Sequence, residues 1–283
     1  MDQPVWITGA GGLIGSHLIR AAATLSPGRT VRALSRADLD LTDRPAVDRA
    51  FREAPPAGII HCAAMSKSVA CQRDPVLAWA ANVDVTAHLA GLAVEIPFFL
   101  LSTDMVFDGR VGNYDESAPL NPLSVYGVTK QEAERVVLRN PCHTVVRTSL
   151  TGGRSPTGDR GFNEEMRRAW AAGRTLDLFV DEFRCPLPAV VTARAIWQLY
   201  LRNQPGLYHL AGSQRLSRWE IGQLVAARCP ELTPRMAPGS LRNYSGAPRS
   251  PDTSLNCAKI QRLLDFPLPG LADWLGTHPG EYF

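Results

Sequence analysis

Strands and helices alternate through the first half of this 283-residue chain. A glycine triplet joins the first strand to the first helix, and Gly- and Pro-rich crossings begin near residue 151. These three observations predict an α/β fold, a doubly wound parallel sheet covered on both faces and carrying a smaller C-terminal lobe. Residues 1–150 hold the sheet. Residues 151–283 form mainly the lobe, with some segments free to return to the main sheet.

Residues 4–8 read as a short apolar strand. Gly9, Gly12 and Gly15 follow at once in ITGAGGLIGSHLIR, and Leu18, Ile19, Ala22 and Ala23 then give helical periodicity to about Leu25. Glycine tolerates positive φ and lets a phosphate approach the backbone. The helix beginning there turns free N–H groups and its positive dipole end toward that phosphate. Strand, glycine turn and helix in this order make a Rossmann-type dinucleotide site, with Gly9, Gly12, Leu13, Ile14 and Gly15 as contacts. The other reading is a tight structural turn.

The second strand, 30–34, ends in Ser35 and Arg36 where an NAD-binding chain would place an acidic residue. A guanidinium binds phosphate bidentately and a serine adds one more bond, which favours NADP. Asp38 or Asp40 reaching a ribose would favour NAD. A helix near 44–52, a strand 58–62, a long helix near 74–94, a strand 98–102 and a helix near 124–139 complete the alternation. Between Thr103 and Tyr126 runs a loop punctuated by Asp108-Gly109 and Asn121-Pro122, and a long loop at a strand's carboxyl end is usually functional. Past 151, helices are expected at 162–172, 191–202 and 218–228, joined by short strands at 175–179 and 206–210.

Tyr126 stands four residues before Lys130, in a chain with three lysines among 30 Lys and Arg residues. Residues four apart share one helix face. An ammonium beside a phenol favours phenolate and lowers the tyrosine pKa, which suits proton exchange near neutral pH. The bland alternative is a half-packed tyrosine beside a solvated lysine.

The glycine motif, ALSRADLDLTD at 33–43, HCAA at 61–64, LSTDMVFDG at 101–109, NPLSVYGVTKQEAE at 121–134 and VRTSL at 146–150 together resemble the extended short-chain dehydrogenase/reductases. More narrowly they resemble the dTDP-4-dehydrorhamnose reductase family. VDEFRCP at 180–186, GLYHLAGSQRLSRWEIG at 206–222 and RSPDTSLNCAKI at 249–260 extend the likeness over nearly the whole chain. The resemblance implies that Tyr126 is the proton donor, Lys130 its activator and a ligand of the nicotinamide ribose, and Thr103 the third catalytic hydroxyl. It places Asp40 and Leu41 beside the adenine, Ala63, Ala64 and Met65 where the cofactor crosses, Asn82 behind the site as support, and Thr148 on the nicotinamide side. Met105, Ser66, Lys67 and Ser250 depart from the family pattern. Ser66 and Met105 are expected to face the substrate. Arg184, Arg249 and Asp252 are candidates for gripping an anionic sugar nucleotide or, equally, for ion pairs knitting the lobe together.

The implied activity is NADP-preferring reduction of a nucleotide-linked 4-keto sugar, with NAD the other cofactor. Two rivals share the scaffold. One is an epimerase or dehydratase that retains its cofactor, which would need further acid/base residues flanking the sugar; Asp104 can be offered, but no convincing pair is visible. The other is a non-catalytic regulatory subunit, as in the related methionine adenosyltransferase subunit. A net charge of +3 with scattered basic residues argues against nucleic acid as a partner. A mean hydropathy of −0.10 and the lack of a long apolar run argue against a membrane span, and the early first strand leaves no room for a signal peptide. A cytoplasmic protein is expected, with a homodimer left open. Six dispersed cysteines without a CxxC pair read as reduced thiols, and no metal-ligand spacing is present.

Overall fold

The structure, a computed structural model, describes residues 3–281 and 283. The first half runs β1 (Val5–Thr8), α1 (Leu13–Leu25), β2 (Val31–Leu34), α2 (Arg44–Glu53), β3 (Gly58–His61), α3 (Ser68–Arg73), α4 (Pro75–Trp79), α5 (Val85–Leu92), β4 (Phe98–Thr103), α6 (Val125–Val137) and β5 (Thr144–Thr148). The second half runs β6 (Thr151–Gly152), α7 (Phe162–Ala171), β7 (Thr175–Phe179), β8 (Phe183–Arg184), β9 (Leu187–Pro188), α8 (Ala189–Leu201), β10 (Gly206–Leu210), β11 (Leu216–Ser217), α9 (Arg218–Ala226), β12 (Arg235–Gly239), α10 (Ala258–Gln261) and α11 (Leu271–Thr277).

Six parallel strands form the main sheet in the order β10-β5-β4-β3-β1-β2. The chain reverses direction of travel across the sheet at β1, where β2 lies on one side and β3 on the other. A crevice opens at the carboxyl ends of strands at such a point, and ligands bind there in open α/β sheets. Thr8 pairs with His61, and Thr103 with Thr148, so these residues lie along that edge.

Both faces of the sheet are covered, which explains why β1, β3 and β4 carry continuous apolar runs rather than alternating ones. Val5, Ile7, Ile60, Phe99, Leu101 and Val146 pack on one face against α1 and α8. Trp197 of α8 donates its indole N–H to the Leu18 carbonyl of α1 at 2.9 Å, which fixes the two helices together. Trp6, Ile59, Phe98, Leu100 and Val145 face the other way, against α2, α5 and α6. A separate core of Met166, Trp170, Leu178, Ile221, Val225 and Trp274 holds the rest of the second half.

The structure adds several short elements to the expected map and sharpens it further. The long helix expected at 74–94 is α4 and α5 joined by a π-helical turn, Ala80–Asp84. The strand expected at 206–210 is β10, and it returns to the main sheet beside β5, with α8 supplying the covering layer. β12 pairs in parallel with β7 and had no strand signature, because Pro238 and Gly239 break its pattern.

Candidate active site

The glycine turn is shaped by close backbone approach. Gly9 has φ of +69°, and a Cβ there would lie 2.7 Å from the Ala63 nitrogen, so the turn presses on the loop leaving β3. A Cβ on Gly15 would run into the Gly9 carbonyl. Gly12 caps α1 with no side-chain bond, so among the described residues the cap leaves the first-turn amides without a side-chain acceptor. Thr8 staples this corner: its hydroxyl accepts from the Cys62 and Ala63 nitrogens, each at 3.2 Å, and lies 2.7 Å from His61 Nδ1.

At the end of β2, the Ser35 amide and hydroxyl both donate to Asp38, at 2.8 and 2.5 Å. Arg36 has only a 3.9 Å approach to Asp40, and its side chain is 82% exposed. Asp40 is itself held by the Thr42 amide and hydroxyl. Leu41 packs onto the core beneath.

Tyr126 meets Thr103 for a local reason. Ser124 caps α6, accepting from the Gly127 amide at 3.2 Å, and a Cβ at Gly127 would collide with the Met105 carbonyl. The absent side chain lets the first turn of α6 settle against the short helical turn that follows Thr103. The Thr103 hydroxyl accepts from the Met105 amide and donates to Asp104, both at 3.2 Å.

The electrostatics differ from the expectation. Tyr126 keeps part of its surface open, yet its phenol lies deep enough that burial pushes its pKa well above the usual tyrosine value. The Asp104 carboxylate and the Cys71 thiol add to the rise, and Thr103 opposes it. Lys130 is not among the causes. Its ammonium lies nearer His61, Cys62 and Glu134. Burial pushes the Lys130 pKa down to about 8, with Glu134 working against that shift. Lys130 is 2% exposed and makes no hydrogen bond among the described residues.

Glu134 cannot satisfy Lys130 because it is already engaged. Arg147 reaches it from β5 with Nε at 3.1 Å from both oxygens and a terminal nitrogen at 2.7 Å, and Ser102 donates to it as well. Arg147 also contacts His209 Nε2 at 3.1 Å and lies over the Phe107 ring. Burial and Arg147 push the His209 pKa down to about 4. Sequence reasoning missed this buried cluster. Its signal was present: Glu134 stands four residues past Lys130, and Arg147 and His209 interrupt otherwise apolar strands.

Asn82, on the π-helical turn, accepts from the Met65 amide at 2.8 Å and donates to the Met65 carbonyl and the Thr129 hydroxyl. It thereby ties the loop 63–67 to α6. π-turns recur at functional sites because they re-aim one side chain. Ala64 and Ser66 are exposed on this loop, and Ala63 and Met65 are half-buried. Met105 Sδ accepts from Ser68 at 3.8 Å. Thr148 donates its hydroxyl to the Ser102 carbonyl at 3.1 Å.

Arg184 and Arg249 adopt the ion-pair arrangement. Arg249 forks onto Glu182 at 2.6 and 2.9 Å, and Arg184 reaches the same carboxylate at 3.1 Å and Asp104 at 3.7 Å. Asp252 pairs with Arg215 at 2.7 Å. Asp104 also accepts from Ser149 and Thr253, at 2.7 and 2.9 Å, and its burial pushes its pKa up.

Residues 3–276 match the RmlD substrate binding domain family. The chain belongs to that family. Among its relatives, it is 31% identical over 278 residues to a dTDP-4-dehydrorhamnose reductase of Sinorhizobium fredii, covering 93% of this chain and 92% of that one. It is 32% identical over 262 residues to the enzyme of the same name from Mycobacterium tuberculosis, covering 88% and 84%. The solved dTDP-4-dehydrorhamnose reductase of Bacillus anthracis, in complex with NADP, superposes with a TM-score of 0.87 at 25% identity, over 98% of each chain. As an RmlD-family chain, it has the sheet, the glycine turn and the Tyr126–Lys130 helix in one crevice. The residues present fit a dinucleotide by their own chemistry: a tight turn that depends on the absent side chains of Gly9 and Gly15, an exposed Arg36 guanidinium and a buried ammonium at Lys130 with no hydrogen-bond acceptor among the described residues.

Proposed function

We propose that this protein is an NADPH-dependent reductase of a nucleotide-linked 4-keto sugar, of the dTDP-4-dehydrorhamnose type. The observation that carries the reading is Lys130. A buried ammonium without an acceptor is costly unless a ligand supplies one. It sits one helical turn from Tyr126, in the crevice behind the glycine turn, where ribose hydroxyls would serve as acceptors.

NADPH bound there supplies a hydride to the carbonyl carbon. The chain's residues do the rest. Gly9, Gly12, Leu13, Ile14 and Gly15 hold the diphosphate through backbone N–H groups. Arg36 takes the 2′-phosphate, with Ser35 held by Asp38 at the strand end. Ala63, Ala64 and Met65, fixed by Thr8 and Asn82, wall the crossing. Thr148 lines the nicotinamide side. Thr103 hydrogen-bonds the substrate oxygen as negative charge develops on it. Tyr126 gives that oxygen its proton, and its raised pKa keeps the phenol protonated at neutral pH. Lys130 holds the ribose, one helical turn from the phenol. Ser66 and Met105 border the sugar. Segments of 151–283 outside α8 and β10 form the lobe that closes over it.

The test is direct. Purified protein is mixed with NADPH or NADH and a panel of nucleotide 4-keto sugars, and absorbance of the reduced cofactor is followed. Stoichiometric NADPH oxidation with one sugar is expected. NADPH binding without oxidation across the panel defeats the reading.

A further inference from the structure

The lobe places three arginines around one carboxylate. Glu182 is buried, and Arg249 and Arg184 occupy its oxygens as described above. The third is Arg218, the first residue of α9. Its backbone N–H donates to the Glu182 carbonyl at 2.9 Å, which fixes where its side chain begins. Its guanidinium makes no hydrogen bond or ion pair among the described residues and lies over the Phe162 ring at 5.3 Å. A cation on an aromatic face is held in position while its N–H edge stays free.

The charge around Arg218 is unbalanced. Burial lowers its pKa to about 10, Arg249 and Arg184 push in the same direction, and the carboxylates of Glu182 and, last in order, Glu165 oppose them. Two of the three arginines form ion pairs with Glu182 and Asp104, and among the described residues Arg218 forms none. A half-buried guanidinium in this state is stabilised by an added anion with planar, bidentate oxygens. The cluster also connects to the reacting centre: Arg184 reaches Asp104, which accepts from Thr103.

We propose that Arg218 grips the diphosphate of the nucleotide-linked substrate, with Phe162 as its platform and with Arg184 and Arg249 acting as scaffolding. This rests on the nucleotide-sugar reading above and adds a residue to it. Neither Arg184 nor Arg249 is assigned the anion, because each already has its carboxylate.

Calorimetry on the NADP⁺-loaded protein tests the assignment, with dTDP and UDP as probes and thymidine as the control lacking phosphate. One of the diphosphates is expected to bind at least about tenfold more tightly than thymidine. Arg218→Gln should weaken that binding by about 30-fold, the loss of one charge-assisted bidentate contact, and leave NADP⁺ affinity unchanged. Arg218→Lys should fall between the two, and Phe162→Leu should weaken diphosphate binding by a few fold through loss of the platform. A thermal midpoint of each variant near that of the parent confirms that it has folded. Diphosphate binding within about threefold of the parent in Arg218→Gln overturns the assignment, as does failure of both diphosphates to bind the parent protein. The two readings fail separately. Diphosphate binding that depends on Arg218, with no sugar of the panel reduced, upholds this site and moves the search to another carbonyl. Sugar reduction with an unchanged KM in Arg218→Gln sinks this site alone.

Discussion

Replacing Lys130 with methionine should destroy turnover and make the protein more stable. Methionine keeps the length of the buried stem and removes the charge. Burial lowers the Lys130 pKa from 10.5 to about 8, net of the opposing attraction of Glu134. At 1.36 kcal/mol per unit, holding the ammonium in the folded state at neutral pH costs about 3 kcal/mol. For a chain of this length the unfolding entropy is roughly 0.6 kcal/mol per degree, so the gain in thermal midpoint is about 5 °C at pH 7. The pH dependence carries the decisive sign. Between pH 8 and 10.5 the unfolded chain binds more protons at this site than the folded one, so the parent's stability rises with pH through that window. The advantage of the methionine variant is therefore full below pH 8 and vanishes near 10.5. Paired thermal melts of the two proteins across pH 7–10.5 measure the difference directly. A variant that is no more stable at pH 7, or whose advantage does not shrink above pH 8, refutes the account of Lys130 as a strained ammonium awaiting a ligand.

Other substitutions probe the neighbouring parts. Tyr126→Phe should keep NADPH affinity and reduce kcat by about 10²–10⁴-fold, the usual worth of a positioned acid, as stopped-flow oxidation would show; near-normal turnover would remove Tyr126 from its role. Glu134→Gln leaves Arg147 buried without its counter-charge and should cost about 3–5 kcal/mol in denaturant unfolding. A loss under about 1 kcal/mol would mean that Arg147 finds another acceptor. Gly15→Ala drives a methyl group into the Gly9 carbonyl and should abolish measurable NADPH binding by fluorescence titration.

The sequence made the fold legible wherever one local rule decided the outcome. The glycine turn after β1 has its own steric signature, and the apolar runs of β1, β3 and β4 announce a sheet covered on both faces. Tyr126 and Lys130 were readable because helical spacing places them on one face. That some segment of the second half could return to the main sheet was open in the sequence, but that β10 is the one was not readable, since GLYHL suits an edge of either layer. The same holds for Arg184 and Arg249. Their charge was visible, but Arg249 meets Glu182 only through folding, and an arginine on a carboxylate cannot be told in sequence from one facing a ligand. Arg218 was missed for the converse reason, as it reads as an ordinary first-turn residue of α9.

The largest difference between sequence and structure concerns the direction of the tyrosine pKa, and it bears on chemistry. Spacing alone suggests that Lys130 pulls the phenol toward phenolate. In the folded protein burial, the Asp104 carboxylate and the Cys71 thiol raise the phenol's pKa, and Lys130 is not among the groups that act on it; the ammonium lies nearer His61, Cys62 and Glu134. A phenol held protonated is the form that donates to a carbonyl oxygen, so the resting charge state favours reduction over alcohol oxidation. Asp104 contributes to that bias. Because Arg184, Ser149 and Thr253 hold it in place, it acts on Tyr126 as a fixed neighbour and is not free to serve as the second acid/base group of an epimerase. Relieving it, as in Asp104→Asn, should lower the Tyr126 pKa and shift the alkaline limb of the oxidation direction toward neutral pH, read with NADP⁺ and the reduced sugar nucleotide. An unshifted limb would show that burial alone sets the phenol.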